Sequence, residues 1–254
     1  VNYYYKILFS LLTVYLTGSI SLVQAQSLGE ATIDSDGDGL TDVQETTIYH
    51  TDPLKADTDG DGFSDSEEIS HGYSPLVKEK IKYSAIDSDK DGLSDDWELL
   101  LQTDLMNPDT DGDGFKDGTE VNNGHDPLSA KTELLAKNIQ VDLATQTLEY
   151  SFNNIVLDSF KISSGLRQTP TPKGTFNMLK KRPTVLYRGT NYNYPNTKWN
   201  LLFLQGKLGG YYIHGAFWHN NFGQPMSRGC VNVSYANMER LYNWADLNTK
   251  VIIK

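Results

Sequence analysis

The sequence predicts a mainly β protein: a small β-rich domain with one helix, preceded by a repeat stalk with little regular secondary structure. Three observations carry that prediction. From Asn138 onward apolar and polar residues alternate with a period of two. Before that point one acidic 12-residue pattern recurs, with few apolar residues to build a core. Charge divides the chain near Ala130: residues 26–130 hold 27 Asp and Glu against 6 Lys and Arg, whereas residues 131–254 hold 6 against 15. Segments of opposite sign are different kinds of object, so a domain boundary belongs there. At net charge −11 no nucleic-acid partner is expected.

Residues 1–25 have the features of an export signal. Lys6 gives a thin positive start, Ile7 to Val23 is mostly apolar, and Val23-Gln24-Ala25 offers a cleavage-like end before Gln26. The apolar run is on the short side for a span of ~20 residues. The expectation is an exported monomer, without a stable membrane span once the signal is cleaved, in the periplasm or cell wall of a bacterium, divided as signal 1–25, stalk 26–130 and basic domain 131–254. Cys230 is the one cysteine, so no internal disulfide exists to staple the fold.

The acidic half contains four loops of one spacing. They are Asp34, Asp36, Asp38, Asp42 and Glu45; Asp57, Asp59, Asp61, Asp65 and Glu68; Asp87, Asp89, Asp91, Asp95 and Glu98; and Asp109, Asp111, Asp113, Asp117 and Glu120. Each set puts oxygens at loop positions 1, 3, 5, 9 and 12, with Gly at 6 for a sharp turn and an apolar residue (Leu40, Phe63, Leu93, Phe115) at 7 to pack inward. That is the spacing of a calcium loop, so all twenty carboxylates are candidate ligands for structural Ca2+. No cofactor is expected for catalysis. With His50-Thr51-Asp52-Pro53-Leu54 and His125-Asp126-Pro127-Leu128 between loops, residues 33–129 resemble the bacterial relatives of thrombospondin type 3 repeats, a calcium-strung rod. Two departures stand out: Tyr73-Ser74-Pro75-Leu76 lacks the Asp of that turn, and a charged insert, Val77 to Ser84, lengthens the second step to 30 residues against 23 and 22. The insert is read as a hinge between two loop pairs. His50, His71 and His125 are read as surface residues.

In the basic half, Ile139, Val141 and Leu143 and then Leu148, Tyr150 and Phe152 predict a β-hairpin. Further strands are expected at 155–163, 174–179, 201–204, 210–214 and 250–253. Ser234 is a helix N-cap, followed by Met238, Leu241, Tyr242 and Ala245 on one face.

The chemistry concentrates in Tyr212-Ile213-His214-Gly215 and Ser227-Arg228-Gly229-Cys230-Val231-Asn232. A thiol near its free pKa of ~8.5 needs a base or a positive charge to become a nucleophile. His214 ends a predicted strand and is the candidate base. A backbone carbonyl at Gly215 is expected to orient its ring, since Gly215 has no side chain. Arg228 adds charge beside the thiol, and the N–H groups of Gly229 and Cys230 are candidate oxyanion donors. One Cys with two His makes a poor zinc set, and no Cys-x-x-Cys exists for disulfide exchange. Acyl transfer remains.

His214 through Ser227-Arg-Gly-Cys230-Val-Asn232, with Ile139–Leu148 and Ser164-Gly165 and Thr171–Phe176 upstream, resembles the active-site signature of the L,D-transpeptidases over about residues 137–254. The resemblance implies Cys230 as nucleophile, His214 as proton donor and acceptor, and Ser227, Gly229 and Asn232 around them. Arg228 departs from the commoner pattern, which has a second histidine there, and is read as altering substrate preference. Trp218 and Tyr211 are weighed as pocket wall and as substrate-binding residues, and His219 as a loop histidine. The implied reaction is peptidoglycan cross-linking: Cys230 attacks a stem peptide, D-Ala leaves, and an amine of a second stem resolves the thioester. L,D-carboxypeptidase action on the same stems and a non-catalytic wall-binding role are the alternatives.

Overall fold

The computed structural model describes residues 32–207 and 209–254 of the chain; the signal expected at residues 1–25 lies outside the described residues. The chain divides into two compact units, one ending at Pro108 and the other beginning at Asp109. No helix of the described residues is long and apolar enough to cross a membrane.

In the first unit each acidic loop runs into a short helix: α1 Asp42–Gln44, continued by a π-helical turn Glu45–Tyr49, then α2 Asp65–Ser70 and α3 Asp95–Leu101. Local chemistry sets the starts. The Thr41 side chain accepts from the Gln44 N–H while the Gln44 side chain returns to Thr41, and Ser64 accepts from the Glu67 N–H. His50 ends the π-helical turn and Gln102 ends α3 in the left-handed region, at φ 57° and 66°.

A small core closes this unit. Leu40, Ile69, Tyr83 and Leu105 are buried together, with Tyr49, Ile86 and Leu99 packed against them. Tyr83 belongs to the segment read as a hinge, and its place in the core corrects that reading. Ser74 N–H donates to Ile81 O at 3.0 Å, Tyr73 bridges to Lys82, and the Lys80 and Lys82 ammonium groups each lie 3.6 Å above the rings of Phe63 and Tyr73. The charged insert is fastened by its one large aromatic residue and by cation–π contacts. The position-seven residues also divide: Leu40 and Leu93 are buried, whereas Phe115 is 62% exposed.

The second unit opens with the fourth loop and its helix, α4 Asp117–Asn123. Two sheets follow. Strands β1 Lys137–Asp142, β2 Thr147–Phe152, β3 Ile155–Lys161, β4 Gly174–Asn177 and β9 Lys250–Ile253 form a sheet in the order β3-β2-β1-β9-β4. Strands β5 Lys180–Gly189, β6 Tyr192–Gln205, β7 Gly210–Gly215 and β8 Val231–Val233 form another in the order β5-β6-β7-β8. The predicted hairpin pairs Ile139 with Tyr150 and Val141 with Leu148, and every second residue of it is buried. Helix α5 Tyr235–Trp244 is capped by Ser234 and buries Met238, Leu241 and Trp244.

The long β5–β6 hairpin is absent from the sequence expectations except at 201–204. Its outer part is polar, carries Pro183 and Pro195, and is largely exposed, so it has no buried stripe to announce it. Pro183 sits on β5, the edge strand, where a missing N–H breaks no ladder bond.

Candidate active site and acidic loops

The site is built on two parallel strands. β7 and β8 pair with His214 opposite Asn232, and Cys230 directly precedes β8. On the other side of the nucleophile segment, Ser163 and Asn232 exchange backbone hydrogen bonds at 2.9 Å. Met226 and Ser227 N–H both donate to Ser164 O, and Leu166 N–H donates to Ser227 O, each at 2.9 Å. The Ser164-Gly165 motif is therefore the brace that fixes Ser227–Asn232 from behind.

His214 is 2% exposed. Its Nδ1 lies 2.9 Å from Gly215 O. A carbonyl only accepts, so Nδ1 carries the proton and Nε2 keeps its lone pair. Burial pushes the imidazole down to about 4. Burial pushes the half-buried Cys230 thiol up to about 11, opposed by a backbone hydrogen bond from Tyr212. Both groups therefore rest neutral near pH 7.

Gly229 adopts φ +114°, and a Cβ there would sit 2.8 Å from Cε1 of Tyr211. The turn into Cys230 thus needs glycine both for its conformation and for Tyr211, which lies on it. The Gly229 N–H, however, donates to Ser227 Oγ at 3.1 Å, and the Ser227 hydroxyl in turn donates to Cys230 O. In this structure the N–H expected as an oxyanion donor thus holds the serine that shapes the turn.

An aromatic wall surrounds His214. Tyr187 stacks on it at 4.5 Å between centroids and donates its hydroxyl to Asn200 Oδ1 at 2.9 Å. Trp218 lies 5.7 Å from His214 and stacks on Tyr194 at 3.9 Å with planes 2° apart. The Arg228 guanidinium lies 4.3 Å above the Tyr192 ring. Tyr187, Tyr192 and Tyr194 all come from the β5–β6 hairpin, so the hairpin missed in the sequence supplies much of the wall.

His219 is also closer to the chemistry than a plain loop histidine. Its Nδ1 accepts from the Asn221 N–H at 3.3 Å, and its Nε2 lies 3.0 Å from the Asn232 carboxamide. The Asn232 atom facing Nε2 is its amide nitrogen, Nδ2. No sequence pattern signals this contact, because it depends on where the 216–226 loop folds.

In the acidic loops, carboxylate oxygens of positions 1, 3 and 5 come within 4.8 Å of one another: Asp34, Asp36, Asp38; Asp57, Asp59, Asp61; Asp87, Asp89, Asp91; and Asp109, Asp111, Asp113. The position-nine residues do something else. Both oxygens of Asp42 accept from Ser35, those of Asp65 from Thr58, those of Asp95 from Ser88 and those of Asp117 from Thr110, through N–H and hydroxyl at 2.6–2.9 Å. Asp42, Asp65, Asp95 and Asp117, expected as ion ligands, thus act here as braces that close each loop on its helix.

The remaining donor set fits a hard divalent cation. Asp36, Asp59 and Asp111 each keep a buried oxygen without a hydrogen-bond partner, as do Glu45, Glu68 and Glu120 at position 12. Burial and then the neighbouring carboxylates push Glu45, Glu68 and Glu120 up to about 7. Oxygen-only, carboxylate-rich sites of this kind suit calcium.

Residues 136–253 match the family model of the L,D-transpeptidase catalytic domain, and residues 34–56, 57–72, 87–104 and 109–130 match the bacterial TSP3 repeat. No curated protein matches the chain. Among solved structures, it is similar to an L,D-transpeptidase from Mycobacterium smegmatis, at 25% identity over 47% of this chain and 59% of that one, with a TM-score of 0.44. It is similar to an L,D-transpeptidase from Mycobacterium tuberculosis at 23% identity, 47% and 58% coverage and a TM-score of 0.43. The catalytic domain of an Enterococcus faecium L,D-transpeptidase matches at 27% identity, 46% and 96% coverage and a TM-score of 0.41. The chain covers less than two thirds of the length of the two mycobacterial chains.

Proposed function

Since residues 136–253 are an L,D-transpeptidase catalytic domain and residues 34–130 carry bacterial TSP3 repeats, we propose that this chain is an exported peptidoglycan L,D-transpeptidase working through a thioester on Cys230. The observation that carries the reading is the fixed tautomer of His214: Nδ1–H is held by Gly215 O, which leaves Nε2 as the acceptor on the strand beside the nucleophile. With thiol and imidazole both neutral at rest, the proton passes from sulfur to Nε2 as Cys230 attacks the stem carbonyl, and from Nε2 to the leaving amine as the bond breaks. The N–H groups of Gly229 and Cys230 are the backbone donors for the oxyanion, the former held by Ser227 Oγ at rest. Trp218, Tyr211 and the hairpin tyrosines enclose the stem, and an amine of a second stem resolves the thioester.

In the loops, the carboxylates of positions 1, 3 and 5 with Glu at position 12 hold calcium, which supplies the positive charge that lets these groups share one site. The catalytic residues require no metal.

The test is intact-mass analysis of the purified chain with tetrapeptide stems and with a carbapenem. One adduct is expected, absent in Cys230→Ala. Cross-linked product from the stems supports transpeptidation, whereas tripeptide alone replaces it with carboxypeptidase action. Turnover that persists in Cys230→Ala rules out the thioester.

A further inference from the structure

Arg228 is an exposed, permanently charged group two residues before the nucleophile, and it makes no ion pair among the described residues. Its guanidinium lies 4.3 Å above the face of Tyr192. Tyr192 is itself seated: its ring occupies the space a Cβ at Gly189 would need, so the hairpin tip closes around it, and it lies 5.6 Å from Tyr194, which stacks on Trp218. A guanidinium seated over an aromatic ring is limited in where it can go and still has N–H groups to donate. Those groups can meet a carboxylate with two parallel hydrogen bonds.

The surroundings carry the same sign. Between Asp158 and Glu239 the chain has ten Lys and Arg and no Asp or Glu. This stretch supplies β5 to β8, the 216–226 loop and the nucleophile, so no carboxylate from any of them competes for Arg228.

Resting on the function proposed above, we propose that Arg228, seated over Tyr192, is a specificity-determining residue that recognises a carboxylate of the acyl-donor stem. Two sources share that chemistry: the terminal carboxylate of the departing residue, and carboxylates on the residues before the scissile bond. A lysine would serve poorly, because its point charge neither stacks on Tyr192 nor forks to two oxygens.

The test measures kcat and KM of the full chain on three stems: the tetrapeptide free acid, its terminal amide, and a free-acid tetrapeptide whose internal carboxylates are amidated. A charge-assisted bidentate contact supports a loss of roughly 10–100-fold in kcat/KM for the stem lacking the recognised carboxylate, mostly in KM. Which amidation causes the loss identifies the source. Arg228→Met should bring the free acid down to the level of that amide, Arg228→Lys should restore only a minor part, and Tyr192→Phe should keep the discrimination because it keeps the ring. Equal rates for all three stems with the wild type would overturn the proposal, as would full discrimination in Arg228→Met. If the wild type turns over none of the stems, the functional reading fails by itself. Arg228 is then judged on binding of free acid and amides to Cys230→Ala, where loss of a free-acid preference in Cys230→Ala/Arg228→Met supports the proposal and its absence or persistence overturns it.

Discussion

His214 shows how much of this site is decided at a single residue. Its ring is buried, hydrogen-bonded at one nitrogen, and flanked by Tyr187 and Trp218. An ordinary imidazole takes its proton near 6.5, whereas this one waits until about 4. Through that window the unfolded chain binds more protons than the folded one. The stability this residue contributes is therefore full above about pH 6.5 and is lost as pH falls toward 4. Urea unfolding of the wild type and His214→Gln at pH 7 and pH 4.5 checks this: the wild type should lose more stability between the two than the variant. An equal loss would mean the ring is not held neutral by the fold.

At the scale of elements, a buried lysine joins the fourth loop to the catalytic domain. Lys137 on β1 has a side chain only 1% exposed; its Nζ donates to Asn122 O at the end of α4 at 2.9 Å, donates to Trp244 O at the end of α5, and pairs with Asp246 at 3.1 Å. It also lies 4.6 Å from the Trp244 ring. Two helix C-termini thus direct their carbonyls at one cation, the sign that helix end favours. Lys137→Ala is expected to destabilise the second unit by about 3 kcal/mol, because it leaves those carbonyls and Asp246 without their donor. Denaturant unfolding measures it, and a change within about 0.5 kcal/mol, as for an ordinary surface site, would refute the joint. Lys137 read from sequence is only the first residue of an alternating strand; its partners are separated from it by up to 109 positions.

At the scale of the whole chain, the acidic loops should make folding depend on calcium. Each loop holds its position-1, -3 and -5 carboxylates within 4.8 Å of one another, where repulsion between close pairs at an effective dielectric of ~20 reaches several kcal/mol. The first unit opposes this with a core of only a few side chains. Removing calcium should therefore melt the helices α1, α2 and α3 while the two sheets of the second unit persist. Circular dichroism of the full chain with a chelator, followed by calcium titration in the range of ~10⁻⁴–10⁻³ M usual for extracellular modules, tests it. Far-ultraviolet signal identical with and without calcium would reduce the loops to a plain acidic spacer.

What the sequence determined by itself is what local pattern encodes. Period-two alternation specified the β1–β2 hairpin, Ser234 specified the start of α5, and the fixed offsets of Asp, Gly and Glu specified four loops. The pairing of a lone cysteine with a strand-end histidine pointed to the chemistry. Tertiary structure alone decided the rest, because those features depend on which distant groups meet. The β5–β6 hairpin is polar and exposed, so only its pairing with β7 reveals it as a wall of the site. Position nine of each loop looks like a ligand in spacing, and only the fold shows its oxygens accepting from a hydroxyl and an N–H seven residues earlier. Gly229 has an N–H suited to an oxyanion, and only the fold shows Ser227 Oγ accepting it at rest. Arg228 is only a departure from a motif in the sequence; the fold seats its guanidinium over Tyr192, a residue 36 positions away.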